Sequence, residues 1–461
     1  MRIGCFFLSL ALMFSCALMA QRQYQASSVL GSGSWYQLAV KEAGVYKVDL
    51  PMLRQLGVSN SSIPVGAIRL FGNGGAMLPE ACNATVPDDL VENAIEVIDD
   101  GDGFFNGSDY FLFYAPGPDR WIADTINRAF RHQKNLYTDK AFYYISIGGN
   151  GKRIALQTAP PPANITVTSF SEHWFHELES SNLLNGSKDW LGEELSAAPG
   201  KTISLATAFT NPVETEPASM QAACVARSVN GSSRFTFSIN NQSILQQDIA
   251  SVGSSSQDLF ARRFSATASI TATAGAAITC AFTGNNSAQG WLDWLEVFYR
   301  RKLLLGTGTQ LFFRDWSSLS TNGNARFSIE QAAGAEVWDV SEPAMPVKMS
   351  CITGGSNLDF TNTSASLHEY CCFKQSFLLP TLLGKLSNQD IHAAAPAGML
   401  IICYPPFLAQ ARRIADFHQQ QDQLSSLVLT TQQVFNEFSG GSPDPVAIRN
   451  CMKMFYDRAG A

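Results

Sequence analysis

The side chains in this sequence best suited to chemistry are thiols, imidazoles and one run of carboxylates. Cys403 closes the apolar run "GMLIICY", with His392 upstream and His418 downstream in "ADFHQQQ". A thiol at the carboxyl end of a strand becomes a nucleophile when an imidazole is held beside it. Neither histidine is placed by sequence to orient on Cys403, so no catalytic residue is assigned and the chain is expected to be inert as a peptidase. In "SEHWFHEL", His173 and His176, flanked by Glu172 and Glu177, would share one face of a helix. No third ligand is evident, and a strand or loop with solvated histidines is the preferred reading. The metal candidate is "IDDGDGFFNGSDY". Asp100, Asp102, Asn106 and Asp109 are hard oxygen donors and Gly103 permits a sharp turn, as a calcium loop requires. Ile98 occupies the first acidic position of that pattern, and the competing reading is a polar hairpin bent by Asx turns. Calcium is the one cofactor suggested. "RLFGNGGAMLPE" is glycine-rich but opens no helix after a buried strand, so its glycines are read as turn residues with positive φ rather than a phosphate cradle.

The leader "MRIGCFFLSLALMFSCALMA" has a basic start, an apolar centre and a small residue, Ala20, before "QRQYQ". It reads as a secretory signal peptide, residues 1–20, with cleavage after Ala20. Lipid attachment at Cys16 is disfavoured by the Met13, Phe14 and Ser15 before it. Eight cysteines follow: Cys82, Cys224, Cys280, Cys351, Cys371, Cys372, Cys403 and Cys451. None forms a C-x-x-C pair, which argues against zinc. Cys224 with Cys280 is a candidate disulfide, with isolated buried thiols the alternative. The formal charge is −7, with no basic run, which speaks against nucleic acid as a partner.

These residues must be positioned mainly by strands. Hydrophobic residues make up 46% of the chain and charged ones 15%, and the 35 glycines and 30 phenylalanines suit a β-rich exported protein. Short alternating runs from Trp35 ("WYQLAVKEAGVYKVDL", "YFLFYAPG", "AFYYISIGG") predict an antiparallel domain over 21–160, with a short helix "PMLRQLGV" capped by Asp49. Over 161–305 the pattern predicts a jelly-roll-like β-sandwich, with a hairpin at Asn240-Asn241. There "GWLDWLEVFYRRKLLL" is an interior strand, Leu292, Trp294, Glu296 and Phe298 facing one way and Trp291, Asp293, Leu295 and Val297 the other. A β linking domain is expected over 306–395.

From 396 to 461 the pattern changes. "GMLIICY" predicts a strand buried on both faces, "PPFLAQARRIADFHQQQ" a helix and "LSSLVLTTQQVFNEF" a strand with trailing polar residues. "GGSPDPVAIRNCMKMFYDRAGA" predicts a helix capped by Asp444, with Pro445 in its first turn and a buried stripe of Ile448, Cys451, Met452 and Phe455. This β-α-β-α order opens a doubly wound sheet. With only two strands for that helix to cover, 396–461 is expected to be the least protected segment.

This stretch resembles the start of a gingipain-type cysteine peptidase domain. Upstream, "GSWYQLAVKEAGVYKVDL", "IRLFGNGGAMLPE", "ENAIEVIDDGDGFFNGSDYFLFYAPGPDRW", "HELESSNLLNGSKDWLGEEL", "GWLDWLEVFYRRKL" and "VWDVSEPAMPV" extend the resemblance, in order, to the sortases of type IX secretion systems. The resemblance implies a cysteine endopeptidase and transpeptidase at the outer-membrane surface. Such enzymes remove the C-terminal signal domain of exported cargo and attach the cargo to lipopolysaccharide, and a PorV-like outer-membrane barrel holds them in place. The family's cysteine and histidine lie on later loops of the α/β domain, past the residues present, so the chain is expected to be an N-terminal portion without them. The other reading is a non-catalytic surface protein whose β-sandwich binds glycan or cargo.

Overall fold

The computed structural model describes residues 22–186, 188–196, 200–205 and 209–459. The predicted leader and Cys16 lie outside them. The protein is mainly β, as its alternating patterns predict, and divides into two compact units that cut across the linear boundaries expected at 160 and 395. The first contains residues up to 118, 137–153 and 379–461; the second contains 119–136 and 154–378. Among the described residues no helix is long and apolar enough to cross a membrane.

In the first unit, strand Trp35–Val40 lies between Ala141–Ile147 and Thr381–Leu386, all antiparallel. Sequence neighbours alone do not reveal that last pairing. A second sheet is built on Tyr110–Ala115. Helix Leu50–Leu56 is capped as predicted: Asp49 accepts from the Met52 amide at 3.1 Å, and Gly57 ends the helix at φ 101°.

The α/β segment belongs to this unit. Met399–Cys403 pairs in parallel with Ser426–Thr430, and helix Leu408–Gln421 connects them. Three expectations need correction. Met399–Cys403 is half-buried along its whole length rather than buried on both faces. "TQQVFNEF" is not the tail of a strand but a helix, Thr431–Phe438. The Thr430 side chain accepts from the Gln433 amide while the Gln433 side chain accepts from the Thr430 amide, a reciprocal cap that starts a helix directly at the strand end. In the closing helix Pro445–Arg458 the buried face is Ala447, Cys451 and Met454, whereas Met452 is 55% exposed.

That face is turned by its cover. Leu78 and Tyr24 pack into the same cluster as Cys451 and Met454. The Tyr24 hydroxyl donates to Asp457 at 2.7 Å, and Arg449 donates to the carbonyls of Pro79 and Glu80. Asp444 joins helix and β domain, since one oxygen caps the Val446 amide and the other accepts from the Leu78 amide, each at 2.8 Å. The glycine-rich run "RLFGNGGAMLPE" thus docks a helix, and its Gly74 and Gly75 take the expected positive φ, 91° and 105°.

The second unit holds two sandwiches. In one, the sheet containing Ser169–Glu177, Gln289–Lys302, Ala218–Arg227 and Arg262–Ile270 faces the sheet containing Thr202–Leu205, Ile278–Thr283, Ser233–Ile239 and Gln242–Ile249, around a core that includes Phe235, Phe237, Phe282 and Leu295. Asn240 and Asn241 turn the predicted hairpin at φ 51° and 64°. The other encloses Phe313, Phe327, Phe360 and Tyr370. The alternation expected along "GWLDWLEVFY" fails at one point. The register slips opposite Ala223/Cys224, so Asp293 is the extra residue, and Leu292 shares the core with Leu295, Val297 and Tyr299. A bulge inverts the facing of every residue beyond it.

Replacing Asp444 by Ala removes the cap and leaves the half-buried amide of Leu78 without its acceptor. The expected loss is about 2–3 kcal/mol, read by urea unfolding. An unchanged midpoint would contradict the docking described for this helix.

Candidate functional site

The first unit is joined internally by a buried imidazole–carboxylate cluster at the start of the α/β segment. The reciprocal cap fixes the helix on which Glu437 stands, and Glu437 is 0% exposed. Its carboxylate accepts from the Ile391 amide at 2.9 Å, the Gln389 side chain at 2.9 Å and Nδ1 of His392 at 2.6 Å. The His392 ring stacks on Phe438, with centroids 4.9 Å apart and planes at 10°. Its Nε2 faces Asp88 of the β domain at 3.5 Å. Burial alone would lower the His392 pKa, but the two carboxylates overcome this and raise it to about 9. Burial would raise that of Asp88, yet His392, the Gln25 amide and Arg22 hold it below the usual range. His392 is therefore an imidazolium at neutral pH, a structural cation rather than a base. Beside the cluster, the Tyr144 hydroxyl donates to Asn436, and Asn436 donates to Gln389. A side chain at Gly441, at φ 95°, would collide with that hydroxyl.

Neither histidine considered for Cys403 serves it. The His392 nitrogens are committed to Glu437 and Asp88, and His418 bonds Asp422 on its own helix at 2.6 Å. His173 and His176 lie on strand Ser169–Glu177, where a spacing of three places them on opposite faces, so they share no metal. His173 lies under Trp121 with centroids 4.0 Å apart, and burial pushes its pKa down; His176 bonds Glu193 at 2.7 Å. Neither is simply solvated. In the acidic loop, Asp100 and Asp102 accept from the amides of Asp102 and Phe104, and Asp109 accepts from the Asn106 amide. The Asn106 side chain donates to Asp102 at 2.7 Å. A calcium ion would compete with these Asx-turn hydrogen bonds for the same oxygens. All eight described cysteines are free thiols, with Cys224 and Cys280 both buried in the sandwich core.

Sequence reasoning did not single out His132. Its Nδ1 lies 2.6 Å from Glu296 and its Nε2 2.7 Å from Glu177, and these carboxylates raise its pKa to about 9 against the opposing effect of burial. Hairpin Arg120–Gln133 carries it over the outer face of the sandwich sheet, where Trp121 and Phe130 pack on His173. The available signal was Glu296, a charge set among the aromatic and aliphatic residues of "WLEVFY" on an interior strand.

Comparison with known proteins defines the class. Residues 392–461, which begin at the buried histidine, match the model of peptidase family C25. The chain has the fold of dimeric latent PorU from Porphyromonas gingivalis: TM-score 0.81 and 24% identity over 96% of this chain. It spans 41% of the length of that PorU chain. A far weaker likeness, TM-score 0.19 at 7% identity, links 57% of this chain to 52% of the insecticidal delta-endotoxin Cry8Ea1 of Bacillus thuringiensis. No curated protein matches. The protein is thus PorU-like in fold, with a gingipain-type closing segment.

The His392 cluster sets a pH dependence. The unfolded imidazole loses its proton near pH 6.5 and the folded one near 9, so the stabilisation is complete below 6.5 and drains away as pH rises to about 9. A shift of that size corresponds to about 3 kcal/mol. Glu437→Gln should weaken this slope for residues 431–438 without abolishing it, since Asp88 still raises the His392 pKa, and should destabilise them near neutral pH by roughly 3 kcal/mol. Urea unfolding followed by hydrogen-exchange mass spectrometry of peptides from that helix, at pH 6 and pH 9, measures both. An unchanged slope would contradict the assignment.

Proposed function

We propose that this chain supplies the N-terminal β domains and the opening of the catalytic domain of a type IX secretion sortase. The enzyme would be a cysteine peptidase and transpeptidase that cuts the C-terminal signal domain from exported cargo and transfers the cargo to surface lipopolysaccharide. The observation that carries this reading is the coincidence of the C25 match, residues 392–461, with the segment docked on the β domain through His392, Glu437 and Asp444. Open α/β sheets place their chemistry at the carboxyl ends of their strands. In this chain that edge is marked by Cys403 and Thr430, beside which the remaining loops of such a domain would assemble. The N-terminal unit then acts as the platform that fixes the first strand pair. Location at the outer-membrane surface, held by a PorV-like barrel, belongs to the same proposal.

Two measurements check it. Deleting the gene in its own bacterium should leave exported cargo with uncut C-terminal signal domains and without lipopolysaccharide; normal processing would refute the reading. The isolated 461-residue chain should leave a peptide spanning a cargo cleavage site intact. Cleavage that disappears with Cys403→Ala would place the nucleophile at Cys403 instead.

A further inference from the structure

A loop of the second unit, residues 364–369, brings a serine and a histidine into line with an aspartate, and the sortase reading uses none of the three. Strand Asn357–Thr363 runs out into this loop and strand Tyr370–Phe373 takes it up. Both ends are tied. The Ser364 amide donates to the Gly323 carbonyl at 2.8 Å, and the Glu369 carbonyl accepts from the Val340 amide at 2.8 Å. The Glu369 carboxylate is held by buried Arg314, whose Nε donates to it at 2.8 Å. Between these anchors Ser366 is exposed and His368 half-buried. The Ser366 hydroxyl lies 3.2 Å from Nε2 of His368, and Nδ1 of His368 lies 2.6 Å from Asp339, at the end of strand Glu336–Asp339. Asp339 is fixed in turn. One oxygen accepts from the Ser341 amide at 3.1 Å and the Ser341 hydroxyl at 2.6 Å; the oxygen that meets His368 also accepts from Asn362 at 3.2 Å. Burial would raise the Asp339 pKa, but His368 and Ser341 hold it below the usual range, so it is a carboxylate at neutral pH. A carboxylate facing Nδ1 keeps the ring proton there and turns the lone pair of Nε2 toward the Ser366 hydroxyl.

We propose that Ser366, His368 and Asp339 form a serine-hydrolase centre that cleaves small carboxylic esters through an acyl-serine. Ser366 is the nucleophile and His368 its base, while Asp339 is a positioning residue that holds the imidazole in its tautomer. Ser341 supplies the other hydroxyl nearby, but it gives its proton to Asp339 and accepts the Glu369 amide at 3.0 Å. The Ser366 hydroxyl has the imidazole as its one partner among the described residues. In the first step Ser366 Oγ attacks the ester carbonyl and His368 Nε2 takes its proton. The bond to the alcohol oxygen then breaks, and Nε2 passes the proton to that oxygen. Water attacks the acyl-serine, giving a proton to Nε2, which returns it to Oγ as the carboxylic acid departs. Among the described residues the amides of Ser366 and Leu367 have no acceptor, which leaves them available to the developing oxyanion. Because Ser366 is exposed, that oxyanion gains little from exclusion of water. This limits the centre to esters, whose alkoxide leaves more readily than an amine, and to acyl groups small enough to be held at an open surface. The proposal rests on none of the residues that carry the sortase reading.

Hydrolysis of p-nitrophenyl acetate by the purified chain, with mass mapping of the acetyl adduct, is the test. The wild type should hydrolyse the ester with saturation and carry the transient acetyl group on Ser366. Ser366→Ala, a change at an exposed position, and His368→Gln should each lower the rate roughly a hundredfold, whereas Ser366→Cys should still be acylated. Asp339→Asn should lower the rate and also move its pH profile toward lower pH, because the imidazolium loses its counter-charge. An aspartate with a merely structural role would leave the profile of the folded variant in place. Matched thermal unfolding confirms that each variant is folded. A wild type no faster than free imidazole at the same concentration, a rate unchanged in Ser366→Ala, acetyl groups found only on lysines, or an Asp339→Asn profile identical to the wild type would overturn the proposal.

Discussion

A carboxylate at zero exposure has to be satisfied from within the protein, and the arrangement of the first unit follows from how Glu437 is satisfied. Left unpaired, such a charge costs several kcal/mol. Glu437 meets backbone and side-chain N–H groups of Gln389, Ile391 and His392, and an imidazolium whose other side faces Asp88. Each partner fixes something else. The amides fix the path of the chain into the C25-like segment, the ring fixes its distance from the β domain, and the helix carrying Glu437 also carries Asn436, which accepts from Tyr144. Remove the carboxylate and a buried cation, two amides and a helix lose their reference point together.

The second unit uses the same device elsewhere. His132 stands between Glu177 and Glu296 and holds the hairpin Arg120–Gln133 over a sheet whose outer face would otherwise expose Trp294 and Phe298. In both places a buried imidazolium joins segments far apart in sequence, so neither fold element can be understood from its own residues. The resulting bond is strong and directional but sensitive to pH, unlike the aromatic cores beside it.

Much of the architecture was legible. Period-two runs located the strands, Asp49 and Asp444 marked helix starts, and Asn240-Asn241 marked a hairpin, because each of these signals is local. What stayed hidden depended on tertiary context. Met452 and Met454 are equally apolar, and the cover formed by Ile391, Val434 and Phe438 together with Leu78 and Tyr24 decides which is buried. The facing of Leu292 against Leu295 was misassigned because a bulge on Asp293 leaves no mark in composition. His392 drew notice as a base for Cys403, and its real partner, Glu437, lies on a helix that the pattern had read as the end of a strand. The link between Thr381–Leu386 and Trp35–Val40 spans most of the chain and has no sequence signal.

Residues 392–459 are a docked part of the first unit rather than a loosely attached tail. Cooperative units show themselves by shared opening free energies. Native-state hydrogen exchange of the intact chain should therefore give amides of 447–456 protection close to that of strand Ala141–Ile147 in the same unit. Exchange of the closing helix orders of magnitude faster than the strand, at the rate of an unanchored helix, would contradict the account.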